Sequence, residues 1–486
     1  MFGRNTKTEK STDPNVTKEK ENRKKKKSRK DRKKEIRQKR STQNVFRYRT
    51  MCEDGICELG NDIYSMSIGF SDIDYQIATE ENQQVIFGKY QNILNSLGND
   101  IDMCLTINNR LLDIKEFEEN MLLKHAGDGK DFQRVIINDY ILDNVKKGNN
   151  KITSEKMFTF SVREANIRDA RRTLGNIASE FEKSFRDLKC ETHIMDGVQR
   201  LSTLYSIVKP GEKFNFSFEN LGIKETSKDY IAPYCFDFKE SRDYFRIDSR
   251  YCKVLYLSSW ASEMGDKLLY RLSNLEHNLT MTIHMKVVPR GKDKELIKTK
   301  LNALDKQIGN ENRRNIKNMM DPDQIPVHLR MSYAGTTELL EEVSNRDQRM
   351  FYTSMFILIN ASSKEEMELI TKDIKVICTQ CDCEFAEMTL EQEDGFNAVL
   401  PLGNPKEELA RLVTSKVCSI LMPFTSKELM NPSHPVFYGV NQITSNMILC
   451  NRFYLETPSG WILGKPGQGK SFKVKQELTY IYLSDP

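Results

Sequence analysis

Between about Val45 and Glu393, apolar positions follow two alternating periods: two residues in short runs and about 3.6 in longer ones. "KMFTFSV" (156–162) has the strand pattern. The stretch after it sets Ile167, Ala170, Leu174, Ile177, Ala178 and Phe181 at helical spacing. "NLTMTIHMKVVP" (278–289) is a second strand, ended by Pro289, and a charged helix follows over about 291–319. A third unit begins at Met350 with "MFYTSMFILIN" and continues as a helix that Asn360, Ser362 or Ser363 is placed to cap. Glu365 and Glu366 fall in its first turn, and "CEFAEMTL" (383–390) returns as a strand. Three such units predict mixed αβ layers organised as ferredoxin-like halves.

The pattern changes near residue 394. Eight of the fourteen prolines lie at or beyond 401, and Pro401, Pro405, Pro423, Pro432 and Pro435 punctuate a turn-rich stretch. The expected organisation is therefore a tail over 1–44, an αβ domain over 45–394, and a linker with the beginning of a second domain over 395–486.

Charge separates the tail from the rest. Residues 1–40 hold 18 Lys and Arg against 6 Asp and Glu, which leaves 56 against 63 for the remainder. A segment so poor in apolar residues cannot offset its ordering entropy, so it is expected to be disordered. DNA or anionic lipid would be its partner, with a simple solubilising tail as the alternative. No apolar run reaches the length of a membrane span or a signal peptide, so the cytoplasm is the expected compartment.

The eleven cysteines do not form a disulfide framework. "CTQCDC" places Cys378, Cys381 and Cys383 together but lacks a fourth zinc ligand; the plainer reading is burial of small thiols by a helix and the strand after it. The six histidines show no metal-ligand spacing. Paired acids such as Glu341–Glu342 and Glu365–Glu366 read as solvated helix faces.

One string carries chemistry. Gly464-Lys465-Pro466-Gly467-Gln468-Gly469-Lys470-Ser471 fits G-x-x-x-x-G-K-[ST] at every defined position. Glycines let backbone N–H groups curl toward a phosphate, and the N-terminus of the following helix adds a favourable field. Lys470 can reach β- and γ-phosphate oxygens, and the Ser471 hydroxyl can ligate Mg²⁺. "WIL" (461–463) is expected as a short buried strand before the loop. Val474, Leu478 and Ile481 are expected on one face of the helix after it.

"GFNAVLPLGN" (395–404), "MPFTSKEL" (422–429) and "FYGVNQITSNMILCNR" (437–452) precede this loop in order. Together they resemble the VirB-type conjugal transfer ATPases of type IV secretion systems, as found in Gram-positive conjugative elements. The resemblance implies an α/β class: a mixed α+β N-terminal domain that docks on the secretion channel, then the start of a RecA-like P-loop NTPase domain. It also implies ATP and Mg²⁺ as cofactors, homo-oligomers (usually hexamers), and a peripheral position at the inner face of the membrane.

Gln468 departs from the small residue common at its position. Only fifteen residues follow Ser471, and no Walker B carboxylate, catalytic glutamate or partner-contacting arginine is among them. The sequence therefore reads as an N-terminal portion of a motor, expected to bind Mg–ATP weakly or not at all and not to turn it over. The alternative is a non-enzymatic docking module of the same machinery.

Overall fold

The computed structural model describes residues 41–484, apart from 74, 76–77, 100, 112–121, 148–151, 261–266, 319–324, 346–347, 404–406, 425–435, 441–446 and 453–457. The basic tail expected to contact DNA or lipid lies outside the described residues.

Two short strands, β1 (Thr50–Met51) and β2 (Cys57–Gly60), lead into the first of two similar units. It consists of β3 (Ile63–Phe70), α1 (Glu80–Ser96), β4 (Asp102–Leu111), an inserted α2 (Asp131–Lys147), β5 (Ile152–Arg163), α3 (Ile167–Asp187) and β6 (Thr192–Ile194). Then come α4 (Gly197–Val208), α5 (Ser227–Ile231), β7 (Phe236–Asp237) and β8 (Phe245–Ile247). The second unit is β9 (Arg250–Ser259), α6 (Lys267–Ser273), β10 (Leu279–Val287), an inserted pair α7 (Lys292–Lys317) and α8 (Val327–Ser344), β11 (Met350–Ala361), α9 (Lys364–Gln380) and β12 (Glu384–Glu387). The described chain continues through α10 (Gln392–Val399), β13 (Arg411–Thr414), α11 (Ser415–Ile420), β14 (Val436–Val440), β15 (Met447–Cys450) and α12 (Lys470–Ser484).

Each unit is a ferredoxin-like βαββαβ fold. The first has strand order β6-β3-β5-β4 and the second β12-β9-β11-β10, with antiparallel pairing throughout. They join edge to edge through antiparallel β4 and β10, where Thr106 faces Thr282 and the two hydroxyls lie 3.2 Å apart. The join removes one open edge from each unit, and with β1, β2, β7, β8 and β13 the sheet reaches thirteen strands among the described residues. Both units carry their insertion at the same place, between their second and third strands.

Local sequence explains the elements. In β5, Phe158, Phe160 and Val162 alternate with Met157, Thr159 and Ser161, and both sets are buried, because helices or chain cover both faces of the sheet. Asn166 caps α3 by accepting from the Asp169 N–H at 3.0 Å, and the helix buries Ala170, Leu174, Ala178, Phe181 and Phe185. Ser363 caps α9, accepting from the Glu366 N–H, whereas Asn360 sits within β11 and donates to the Ile207 carbonyl. Glu366 accepts in return from the Ser362 N–H, so this acid completes a helix start. Cys378 and Cys383 are packed in the larger core.

The helix after β10 departs from the expected strand–helix unit. Instead of returning over the sheet, α7 pairs with α8 through Ile297, Leu301, Leu339, Leu340 and Val343. Its apolar stripe is too narrow to cover a sheet and wide enough for one helix.

The domain boundary expected after 394 falls inside α10. Phe396, Val399, Leu400 and Leu402 belong to one core, and Cys418, Leu421, Met422 and Phe424 to the core on the opposite face. β13 adds to β11. Among the described residues, packing with the sheet thus continues to Phe424. Limited proteolysis is expected to leave a stable fragment reaching Phe424 or beyond, and mass measurement of that fragment decides. Early cleavage within 396–403 would contradict it.

The stretch Ala398–Leu402 crosses a polar sheet face. Its carbonyls accept from buried side chains: Ala398 from His284 Nε2 at 2.6 Å, Val399 from Thr282 at 2.5 Å and Pro401 from Arg200 at 3.2 Å. Burial pushes the His284 imidazole down to about 4, so it is neutral in the fold. The unfolded chain takes up that proton near pH 6.5, as an ordinary histidine does. Stability is therefore full above about pH 6.5 and is lost as pH falls toward about 4, by on the order of 3 kcal/mol over the window. Urea unfolding across this range should show the loss. His284→Gln keeps an N–H donor for Ala398 and should flatten that part of the profile; an unchanged slope would assign it to other groups.

Candidate functional site

The described chain from Gly464 to Gly469 is an exposed loop that ends where α12 begins, at Lys470. Gly467 and Gly469 have φ of 84° and 79°, the left-handed region where a side chain is strained, and this produces the tight curl. Lys470 Nζ turns back to donate to the Gly464 carbonyl at 2.5 Å and the Lys465 carbonyl at 3.3 Å. Gln468 Oε1 accepts from the Lys465 N–H at 3.1 Å. Pro466 and Ser471 are exposed, Ser471 in the first turn of the helix. All eight residues singled out from sequence thus meet in one loop at one helix N-terminus.

Two expectations about its flanks are corrected. "WIL" is not a buried strand: Trp461 and Leu463 are 89% and 86% exposed, and no strand forms there. Among the described residues, the nearby strands β14 and β15 pair only with each other, and no described strand reaches this segment. In α12 the buried side chains are Tyr480 and Leu483, with Ile481 partly covered, while Val474 and Leu478 are exposed. The helix packs its 480/483 edge against Leu123 and Ile141 beside α2, which turns the 474–478 stripe outward.

α12 is held at both ends. At its C-terminus, buried Arg134 of α2 donates Nε to the Leu483 carbonyl at 3.2 Å and is fixed by Asp128 and Asp131. A cation there complements the helix dipole. Nearer the loop, Glu477 pairs with Arg452 at 2.7 Å and accepts from the Tyr438 hydroxyl at 2.5 Å. Lys473, one turn earlier, donates to the Tyr438 carbonyl at 2.9 Å. Burial lowers the Lys473 ammonium and raises the Tyr438 phenol, while Arg452 is held up first by its bond to Tyr438. Sequence reasoning did not single out Arg134, Tyr438, Arg452 or Glu477. Tyr438, Arg452 and Glu477 carry no spacing signal because they meet across 14 to 39 residues, and Arg134, though paired locally with Asp128 and Asp131, reaches Leu483 only through the fold.

A second concavity of about 180 Å³ opens at the seam of the two units, lined by Ser161, Asp102, Lys286 and Tyr352 in one cross-strand row, with His284 and Ser354 behind. The Ser161 and Ser354 hydroxyls are buried without a hydrogen-bond partner among the described residues. His284 Nε2 is engaged by the Ala398 carbonyl, and among the described residues neither serine hydroxyl is hydrogen-bonded to a base. Among the described residues, no group of His, Cys, Asp or Glu could hold a metal ion, and no helix is long and apolar enough to cross a membrane.

Fold and site together define a mixed α/β protein in which a glycine-rich loop opens the N-terminus of a helix docked on the sheet's first insertion. Comparison with protein-family models and with curated proteins gives no match.

Proposed function

We propose that this chain is an ATP-binding motor subunit of a conjugative type IV secretion system, powering channel assembly and DNA–protein transfer. The observation that carries the nucleotide part is the loop itself: two left-handed glycines, a lysine folded onto the loop carbonyls and a free helix N-terminus in one place. Open space over the curl supports this reading: among the described residues, a Cβ at Gly467 or Gly469 would meet nothing within 4 Å. Main chain from Gly464 through Gly469 and the Lys470 ammonium would hold the phosphates, and the Ser471 hydroxyl would ligate Mg²⁺. Bound ATP supplies the phosphoanhydride whose hydrolysis drives movement.

The secretion part rests on the ordered phrases of residues 395–452, which run from α10 through the segment under the sheet to β14 and β15. In this reading the double ferredoxin-like sheet docks on the channel at the inner face of the membrane, subunits assemble as hexamers, and residues 1–40 contact DNA or anionic lipid. Calorimetric titration with Mg–ATP, wild type against Lys470→Ala, tests the nucleotide claim.

Two observations favour a second reading, a docking module without turnover. Among the described residues, no acidic side chain is bonded to Lys470 or Ser471, and Trp461, Leu463 and Phe472 stand exposed beside the loop as partner-binding apolar residues would. Steady-state phosphate release separates the two readings.

A further inference from the structure

We infer that Arg452 is a positioning residue for the loop Gly464–Ser471, fastening the chain that enters the loop and the helix that leaves it to one point on the β14–β15 hairpin. The inference rests on the nucleotide reading of that loop. Arg452 lies two residues after β15 ends at Cys450, and its Nη2 lies 2.7 Å from Glu477 Oε1 and 3.4 Å from the Tyr438 hydroxyl. Glu477 is two turns into α12, and its side chain is only 11% exposed. Its other contact, the Tyr438 hydroxyl, comes from β14. Lys473 adds a bond from the same helix face to the Tyr438 carbonyl.

The entering chain meets the same guanidinium. A Cβ built on Gly460 would come within 3.2–3.4 Å of the two terminal nitrogens and Cζ of Arg452, so the guanidinium lies close beside the entering backbone at a position glycine keeps open. Gly460 lies four residues before the loop, and Glu477 seven after Lys470.

This arrangement answers a physical need. The loop buries no side chain of its own, and its curl depends on two glycines with wide conformational freedom. Backbone N–H groups aimed at a phosphate must be held to a fraction of an ångström, which an unanchored exposed loop does not do. A planar guanidinium can lie beside one arm and hydrogen-bond the other at once, whereas an ammonium at the same place could satisfy only the second.

The experiment is amide hydrogen exchange on the full chain without nucleotide, followed by Mg–ATP titration, for Arg452→Ala, Arg452→Lys and the reversal Arg452→Glu with Glu477→Arg. Arg452→Ala should speed exchange of the α12 amides at 473–477 by about ten-fold or more while β11 keeps its protection. It should weaken Mg–ATP by about ten-fold. Arg452→Lys should recover part of both effects, and the reversal should restore much of the helix protection. Wild-type exchange at 473–477 in Arg452→Ala, or loss of β11 protection in step with α12, would overturn the inference. If the wild type binds no Mg–ATP, the nucleotide reading falls and the positioning role for nucleotide falls with it. The exchange arm then still decides whether Arg452 fastens the loop.

Discussion

Lys470→Ala is expected to weaken Mg–ATP binding by about ten- to a hundred-fold, the range of a lost charge-assisted hydrogen bond to phosphate. Without ligand, Lys470 Nζ is satisfied by the carbonyls of Gly464 and Lys465, two neutral acceptors that a phosphate oxygen would outcompete. The lysine is half-buried and has no acidic partner among the described residues, so its charge remains available to a ligand. Removing it leaves the glycine curl and the helix N-terminus in place, which makes the loss one of binding and not of folding. Calorimetric titration of both proteins at one salt concentration checks this, with the wild-type unfolding midpoint as the control. Equal affinity in the two proteins would remove the loop from the account. Phosphate release that depends on Lys470 would favour the motor reading, and background release from both proteins the docking module.

The second large effect concerns folding. Arg200→Met is expected to destabilise the protein by about 3 kcal/mol or more, as the loss of several buried bonds from a charged donor implies. Arg200 is 3% exposed, and its guanidinium donates to the Gly55 carbonyl at 2.6 Å, the Ser65 carbonyl at 2.9 Å, the Ser65 hydroxyl at 3.1 Å and the Pro401 carbonyl at 3.2 Å. These acceptors belong to the β1–β2 turn, to β3 and to the segment under the sheet, three stretches joined by one side chain. Burial lowers its proton affinity, and all four bonded acceptors are neutral, so hydrogen bonding and not ion pairing holds it. Methionine replaces the apolar stem and leaves the acceptors without a donor. Urea unfolding measures the change. A loss under about 1 kcal/mol would mean that those acceptors find other partners.

How much was legible in advance differs between sheet and site. The strands at 156–162, 278–289 and 350–360 and the helices after the first and third of them follow from apolar period alone, since burial demands that spacing wherever a covered sheet forms. A capped helix start near 360–363, which the structure places at Ser363 among three candidates, and the burial of Ala170, Leu174 and Phe181 were readable from local pattern. The eight residues of the glycine loop were readable because their chemistry is local: each acts through its own backbone or a side chain a few residues away.

The sequence by itself thus determined the α/β class, the repeating strand–helix units and the loop. Tertiary structure alone decided where α7 turns, that packing runs past residue 394 to Phe424, that Trp461–Leu463 stay exposed, and that Arg452 meets Glu477. Apolar period states that a face will be covered, and by its width how much, but it does not state by which element. A polar contact between residues 438, 452 and 477 leaves no period at all. Such choices are made by competition among surfaces distant in sequence, and only the folded chain resolves them.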